Sequence, residues 1–319
     1  MQIPRRSFLI GTAASLACGP ALAGGAARSV GGPAFGSYWR LTVEADAPDL
    51  SGPIRAVIAE VDAAMSPYRA GSALSGFNRA AARQAVPVPG ALAGLAAQAL
   101  DLAAATGGAF DPTVGPVVAR YGFGPIVGTA GRWQDLRAED GTLRKATPGL
   151  TLDLCGIAKG HAADRIAALL AARGIRSALI DIGGEMRALG PRPGGGPWRV
   201  AIADPTGART TPAVVALADT ALATSGPVPQ GHAGRGTLSH LIDPRRGRPV
   251  THALASVSVL AGSGAQADAL ATALAVLGPD AGAEYADAQG IAALFLTRTG
   301  AGGGLRSTMT GGFDRHRLG

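Results

Sequence analysis

Apolar and polar positions along the chain fall into two rhythms. From Tyr38 to Glu44 they alternate, which predicts a strand, whereas Pro53 to Met65 spaces its apolar residues three and four apart, which predicts an amphipathic helix. Ala91 to Ala105 repeats the helical rhythm and is closed by Thr106-Gly107-Gly108. Ser66 to Asn78 is small and polar and reads as a loop. Asp111-Pro112 has the chemistry of a new helix start, with Asp as cap and Pro in the first turn. Leu150 to Glu185 is the clearest unit: a strand Leu150 to Leu154, a helix Ile157 to Arg173 stopped at Gly174, a strand Ser177 to Ile182, then Gly183-Gly184. That order is β-α-β. Residues 191–197 are turn-rich, and strands are predicted at Trp198 to Ala203, Ala213 to Leu217, near Leu238 to Ile242, Ser256 to Leu260 and Ile291 to Leu296. Ala265 to Leu277 reads as a helix stopped by Gly278-Pro279. No linker or repeat period divides the pattern. The expectation is one α+β domain over residues 26–319, with mixed, largely antiparallel sheets flanked by helices.

Residues 1–25 follow neither rhythm. Arg5 and Arg6 precede Ser7, Phe8, Leu9 and Ile10, an apolar run follows, and Ala21-Leu22-Ala23 closes it. These are the features of an export signal, and the paired arginines favour the twin-arginine route. The apolar stretch is too short for a membrane anchor. The expected location is the periplasm; a lipid-anchored form facing the periplasm is the alternative if Cys18 is lipidated, and membrane association is expected only then. With Cys18 inside the signal, Cys155 has no partner for an internal disulfide.

Composition narrows the function classes. At 319 residues and 47% hydrophobic, the chain can bury a sizeable core, which excludes disorder throughout. Aromatics are only 4% beside 48 glycines and 22 prolines, so that core is expected to be Ala, Val, Leu and Ile on short elements. The formal charge of +7 is spread as isolated arginines without interleaved aromatics, which does not support nucleic-acid binding.

Candidate chemistry collects at the ends of the apolar elements, in MSPYRAGSALSGFN (65–78), TGGAFDPTVGP (106–116), LDLCGIAKGHAAD (152–164), DIGGE (181–185), SHLIDPRRGRP (239–249) and ADALATALAVLG (267–278). Asp268 and Thr272 lie four apart on a predicted helix, so both project from one face and can offer oxygen to a hard cation. An Asp near a helix start and a Thr bonded back to its own helix would give the same spacing. Asp153, on an apolar stretch, needs a partner: a helix N-terminus, Lys159 or Arg165. Lys159-Gly160 lacks the preceding glycine spacing of a P-loop, which excludes a nucleoside triphosphatase of that kind. Asp111 can bind a ligand donor or cap a helix, and Gly107, Gly108, Gly183 and Gly184 can admit phosphates or simply turn the chain.

In this order and at this spacing, from about residue 33 to 300, the segments resemble the ApbE family of FAD:protein FMN transferases. The resemblance implies Mg²⁺ held by Asp268, Thr272 and the backbone carbonyl at Gly156, with FAD as substrate. It implies that Asp153 and Lys159 lie against FAD, that Ala109, Phe110 and Asp111 recognise flavin or adenine, and that Tyr68 covers the isoalloxazine ring. His240 aligns with a histidine near the pyrophosphate, where it could donate to phosphate or relay a proton. Thr224-Ser225-Gly226 matches a segment that lines the site. Phe35-Gly36-Ser37 stands where the family has Met-Gly-Thr, keeping an apolar contact of different shape, and Cys155 and His161 replace a small residue and a tyrosine. The implied reaction is in-line transfer of FMN to a threonine hydroxyl of another protein, a membrane or periplasmic redox subunit, with AMP released and Asp268 or His240 as base. FAD hydrolysis and a non-enzymatic flavin carrier are the rival readings of the same site.

Overall fold

The alternating segments build one eight-stranded sheet. A computed structural model describes residues 26–139, 141–227, 229–231, 237–300 and 304–318; the export-signal segment and Cys18 lie outside the described residues. The strands run in the order Ala27–Ala34, Ser37–Glu44, Ala178–Ile182, Glu185–Leu189, Ala221–Ser225, Leu254–Ala261, Ala293–Thr299 and Gly304–Thr310. Each neighbouring pair is antiparallel. Side chains two apart share a face, so the sheet sorts its residues onto two cores. Ala221, Ala223, Val257, Val259 and Phe295 face helices. Leu222, Leu260, Leu294 and Leu296 face a second sheet made of Arg317–Leu318, Ala213–Leu217 and Trp198–Ile202. The α+β expectation holds, as helices on one face of the large sheet and a small sheet on the other.

Seven helices are described: α1 (Ser51–Met65), α2 (Ala73–Arg79), α3 (Gly90–Ala105), α4 (Gly115–Arg120), α5 (Ala158–Ala172), α6 (Gly264–Leu277) and α7 (Pro279–Ala288). The three-and-four spacing of Ile54, Val57, Ile58 and Val61 turns one face of α1 inward, against Ile166 and Leu170 of α5 and the strands behind them. Helix α6 is buried along nearly its whole length. Its alanines allow a close crossing over α5, and two glycines make the crossing possible: a Cβ on Gly160 would collide with the Gly264 carbonyl, and one on Gly264 with the Gly160 carbonyl.

The structure corrects four local expectations. Leu150 to Leu154 is not a strand, so there is no β-α-β unit. The segment makes one isolated bridge, Leu150 to Thr129, one main-chain bond from Asp153 N to the Pro112 carbonyl at 2.7 Å, and further bonds to side chains. Asn78 Nδ2 donates to the Leu152 carbonyl at 2.9 Å and Asn78 Oδ1 accepts from Leu152 N at 2.7 Å, reproducing with one amide what a neighbouring strand would supply. The predicted loop 66–78 contains the start of α2, because the Ser72 hydroxyl accepts from Ser75 N and caps it. Asp111 does not open a helix directly. Its carboxylate closes a turn on Thr113, and α4 begins at Gly115. The strand near Leu238 to Ile242 is split into Thr237–Ser239 and Ile242–Asp243.

Candidate functional site

The crossing of α5 and α6 is fastened by carboxylates exchanged between the helices. Asp164, on α5, accepts from the first backbone N–H groups of α6, Gly264 N at 2.7 Å and Ala265 N at 2.9 Å. Asp268, on α6, returns the contact: its Oδ2 accepts from Gly160 N, in the first turn of α5, at 3.0 Å. First-turn N–H groups have no partner inside their own helix, so each acid fills a vacancy in the other. Asp268 is 3% exposed, and burial pushes its carboxyl up while the Lys159 charge pulls it back down.

Lys159 lies next in the site, its Nζ 2.6 Å from Glu185 Oε1. Glu185 follows a two-residue hairpin, Gly183-Gly184, whose φ values of 62° and 106° suit glycine at both positions. The turn is pinned by Asp181, whose Oδ1 accepts from Gly184 N at 2.9 Å and whose Oδ2 accepts from the Tyr38 hydroxyl at 3.1 Å. Burial raises Glu185 to about 7, with Asp268 adding to the rise and Lys159 opposing it. Burial works against the Lys159 charge, but Glu185 and Asp268 outweigh it and its pKa moves up. Beside this turn lies a second one, Phe35-Gly36, with Ser37 packed against Gly183. Phe35 holds φ at 49°, a left-handed conformation costing roughly 1–2 kcal/mol for a residue with a side chain, and its ring packs where two core clusters meet.

The extended segment before α5 supplies the remaining wall. Lys145, 1% exposed, donates to the Asn78 and Leu150 carbonyls at 2.8 and 2.9 Å, and burial lowers its pKa. Asp153 takes neither Lys159 nor Arg165; its Oδ1 accepts from Cys155 N at 2.9 Å, and burial raises its pKa. That turn brings Gly156 against α6, where an added Cβ would sit 3.1 Å from Thr272 Oγ1 and 3.3 Å from Phe110. A hard cation fits the donors gathered here: the Asp268 carboxylate, the Thr272 hydroxyl one turn on, and the main chain at Gly156, a position where no side chain fills the space. Among the described residues no cluster of three or more His, Cys, Asp or Glu offers a competing metal site.

The other residues expected against FAD are distributed differently. Ala109 and Phe110 are buried at 1% and 4%, so they shape the wall from behind and present backbone rather than side chain to a ligand. Asp111 Oδ1 accepts from both the Thr113 N–H and its hydroxyl at 2.7 Å, and burial raises its pKa. Tyr68 is 70% exposed. Its hydroxyl is nonetheless raised to about 12, by desolvation first and then by Cys155 and Asp153. His240 stands edge-on to Phe123 with ring centroids 6.5 Å apart. The loop after it is braced by buried Asp243, which holds Arg245 with two bonds at 3.0 and 3.1 Å, and the Arg245 stem reaches Gly108 of the flavin segment. Thr224 spends its hydroxyl on Ser258 across the sheet. Asp153, Gly156, Lys159, Asp268 and Thr272 thus gather about the start of α5 with Phe110 behind them and the Tyr68 hydroxyl within reach of the Asp153 and Cys155 charges, whereas His240 stands on a separate loop. Sequence reasoning assigned no part to Glu185, Tyr38, Asp181, Asn78 or Asp164. All of them but Tyr38 lie in segments the sequence singled out, Asn78 in 65–78, Asp164 in 152–164 and the other two in DIGGE.

Comparison with known proteins gives the family of the chain. The ApbE family model matches residues 35–295. A relative from Haemophilus influenzae named FAD:protein FMN transferase is 37% identical over 77% of this chain and 78% of its own, and one of the same name from Klebsiella pneumoniae is 34% identical over 89% and 88%. Among solved structures, the flavin transferase ApbE of Vibrio cholerae superposes with a TM-score of 0.81 at 33% identity, covering 91% of this chain and 99% of that one. The apo flavinyl transferase ApbE of Pseudomonas stutzeri gives 0.80 at 34% identity, over 93% and 98%. On the strength of a family match across most of its length, with relatives and folds to correspond, this chain belongs to the ApbE family.

Proposed function

We propose that the protein transfers FMN from FAD to a threonine hydroxyl of another protein with the help of Mg²⁺. The observation that supports this reading is that, where α6 crosses the start of α5, Asp268 closes on Gly160 and Thr272 closes on Gly156. When bound, Mg²⁺ would be held by Asp268, Thr272 and the main chain at Gly156 and would offset charge developing on the pyrophosphate. Lys159, partly exposed and directed by Glu185, donates to the same phosphates. The backbone around Gly108 and the exposed Tyr68 ring enclose the flavin. The threonine Oγ attacks the FMN phosphorus, the bond from that phosphorus to the bridging oxygen breaks, and AMP leaves carrying that oxygen. The hydroxyl proton passes to His240 or Asp268, and a pH–rate profile of His240→Gln beside Asp268→Asn assigns it. The reading places the reaction in the periplasm, on the support of Arg5 and Arg6 and the apolar run behind them, with a redox subunit as acceptor.

The test is incubation of the protein with FAD, Mg²⁺ and a threonine-bearing target. Flavin fluorescence should remain on the target after denaturation, and Asp268→Ala should abolish it. Release of free FMN and AMP with the target unlabelled would make the protein a hydrolase instead. FAD binding without metal-dependent turnover would make it a carrier.

A further inference from the structure

Lys159 stands beside two carboxylates and is bonded to one. Its ammonium lies 2.6 Å from Glu185 Oε1, and among the described residues it forms no ion pair with Asp268. Yet Asp268 is close: its Oδ2 accepts from the backbone N–H of Gly160, the very next residue, and each charge is felt at the other. A four-carbon stem rooted there can swing to either acid, so something must decide between them. Glu185 is built to do so. It is 5% exposed, it follows a hairpin fixed by Asp181 and Tyr38, and its second oxygen, Oε2, is buried with no hydrogen-bond partner. A buried carboxylate with one oxygen unsatisfied is costly to keep unless its charge is needed.

One ammonium cannot neutralise both acids, and whichever acid captures it loses attraction for any other cation. We propose that Glu185 is a positioning residue that holds the Lys159 ammonium off Asp268, keeping the Asp268 carboxylate open to a divalent cation. This rests on the reading of Asp268 as a cation ligand given above. It assigns to the last residue of DIGGE a role at a site to which it contributes no ligand.

The experiment reads metal binding directly, with no turnover. Mn²⁺ is titrated into nucleotide-free protein at pH 8, where Glu185 is ionised, and bound metal is measured by electron paramagnetic resonance. Glu185→Gln keeps the shape and loses the charge; it should weaken Mn²⁺ binding about tenfold, the effect expected for a change of ~1.4 kcal/mol. Adding Lys159→Met to Glu185→Gln should restore binding to within about twofold of wild type, because the competing ammonium is gone. Thermal unfolding of each variant checks that it is folded. Wild-type affinity in Glu185→Gln overturns the inference, and so does a double variant as weak as Glu185→Gln alone, since a merely structural Glu185 would not be rescued by removing Lys159. Asp268→Asn separates the two levels: if it binds Mn²⁺ like wild type, the cation reading fails and this inference falls with it.

Discussion

Asp268 caps the first turn of α5 in the fold and, in the function proposed above, also holds the cation; different substitutions pull the two apart. Asparagine keeps an oxygen able to accept from Gly160 N, now at 3.0 Å, but removes the charge. Alanine removes both. In Asp268→Ala the Gly160 N–H stays buried at the α5–α6 crossing without an acceptor, which costs about 1–3 kcal/mol, or a few to several degrees in Tm for a domain of this size. Asp268→Asn should stay within about 1 kcal/mol of wild type, because the bond survives and a buried charge with its desolvation cost is gone. Flavin transfer should fall in both by at least about a hundredfold, the equivalent of ~3 kcal/mol of lost transition-state stabilisation. The assay is in-gel flavin fluorescence of the denatured target over time, run beside thermal melts. Asparagine transferring at the wild-type rate would falsify the ligand assignment. Asparagine and alanine melting at the same lowered temperature would remove the capping argument.

Gly160→Ala should cost about 3 kcal/mol or more and reduce soluble yield, since its methyl group meets the Gly264 carbonyl and neither helix can retreat without losing the carboxylate contacts; denaturant unfolding measures it. Asn78→Ala strips both bonds from the buried Leu152 backbone and should destabilise by roughly 2–4 kcal/mol while slowing transfer through displacement of Asp153 and Gly156; urea melts and the transfer assay report the two effects. Chelation with EDTA should stop transfer and leave the circular dichroism spectrum unchanged, because backbone N–H groups and carboxylates hold α5 to α6 without help from metal. Glu185, pushed up by burial from an ordinary 4.5 to about 7 in the fold, binds its proton more tightly folded than unfolded. Its contribution to stability is therefore complete below pH 4.5 and is lost as pH rises through 7, by about 3 kcal/mol at most; Glu185→Gln should flatten that slope in melts taken from pH 4.5 to 8.

The parts of this molecule that declare themselves locally were readable in advance. Asp268 and Thr272 sit four apart in an alanine-rich helix with clear stops, and α6 of the fold sets Asp268 against Gly160 and Thr272 against Gly156, both toward the start of α5. Leu150 to Leu154 shows where local pattern fails. An apolar run with a polar interruption looks like a strand, but its hydrogen bonds come from the Asn78 and Lys145 side chains and the Pro112 carbonyl, groups whose part depends on where the chain folds back. Helix α2 was hidden for the opposite reason: its Ser72 cap is present in the sequence, but a seven-residue helix of small residues carries almost no periodicity. Glu185 was visible as a letter in DIGGE and silent as to role, because its partner Lys159 is 26 residues away and meets it only where α5 packs on the strand Glu185–Leu189.

The glycine contact between α5 and α6 has a consequence for how ligands arrive. With main chain touching main chain, the crossing has no slack, so the Asp268 carboxylate keeps one address whether or not anything is docked. On the reading proposed above, a dinucleotide docking here would meet a floor already in its final shape and lose little of its binding energy to ordering the protein. Adjustment on binding is then expected at the rim, where Tyr68 is 70% exposed.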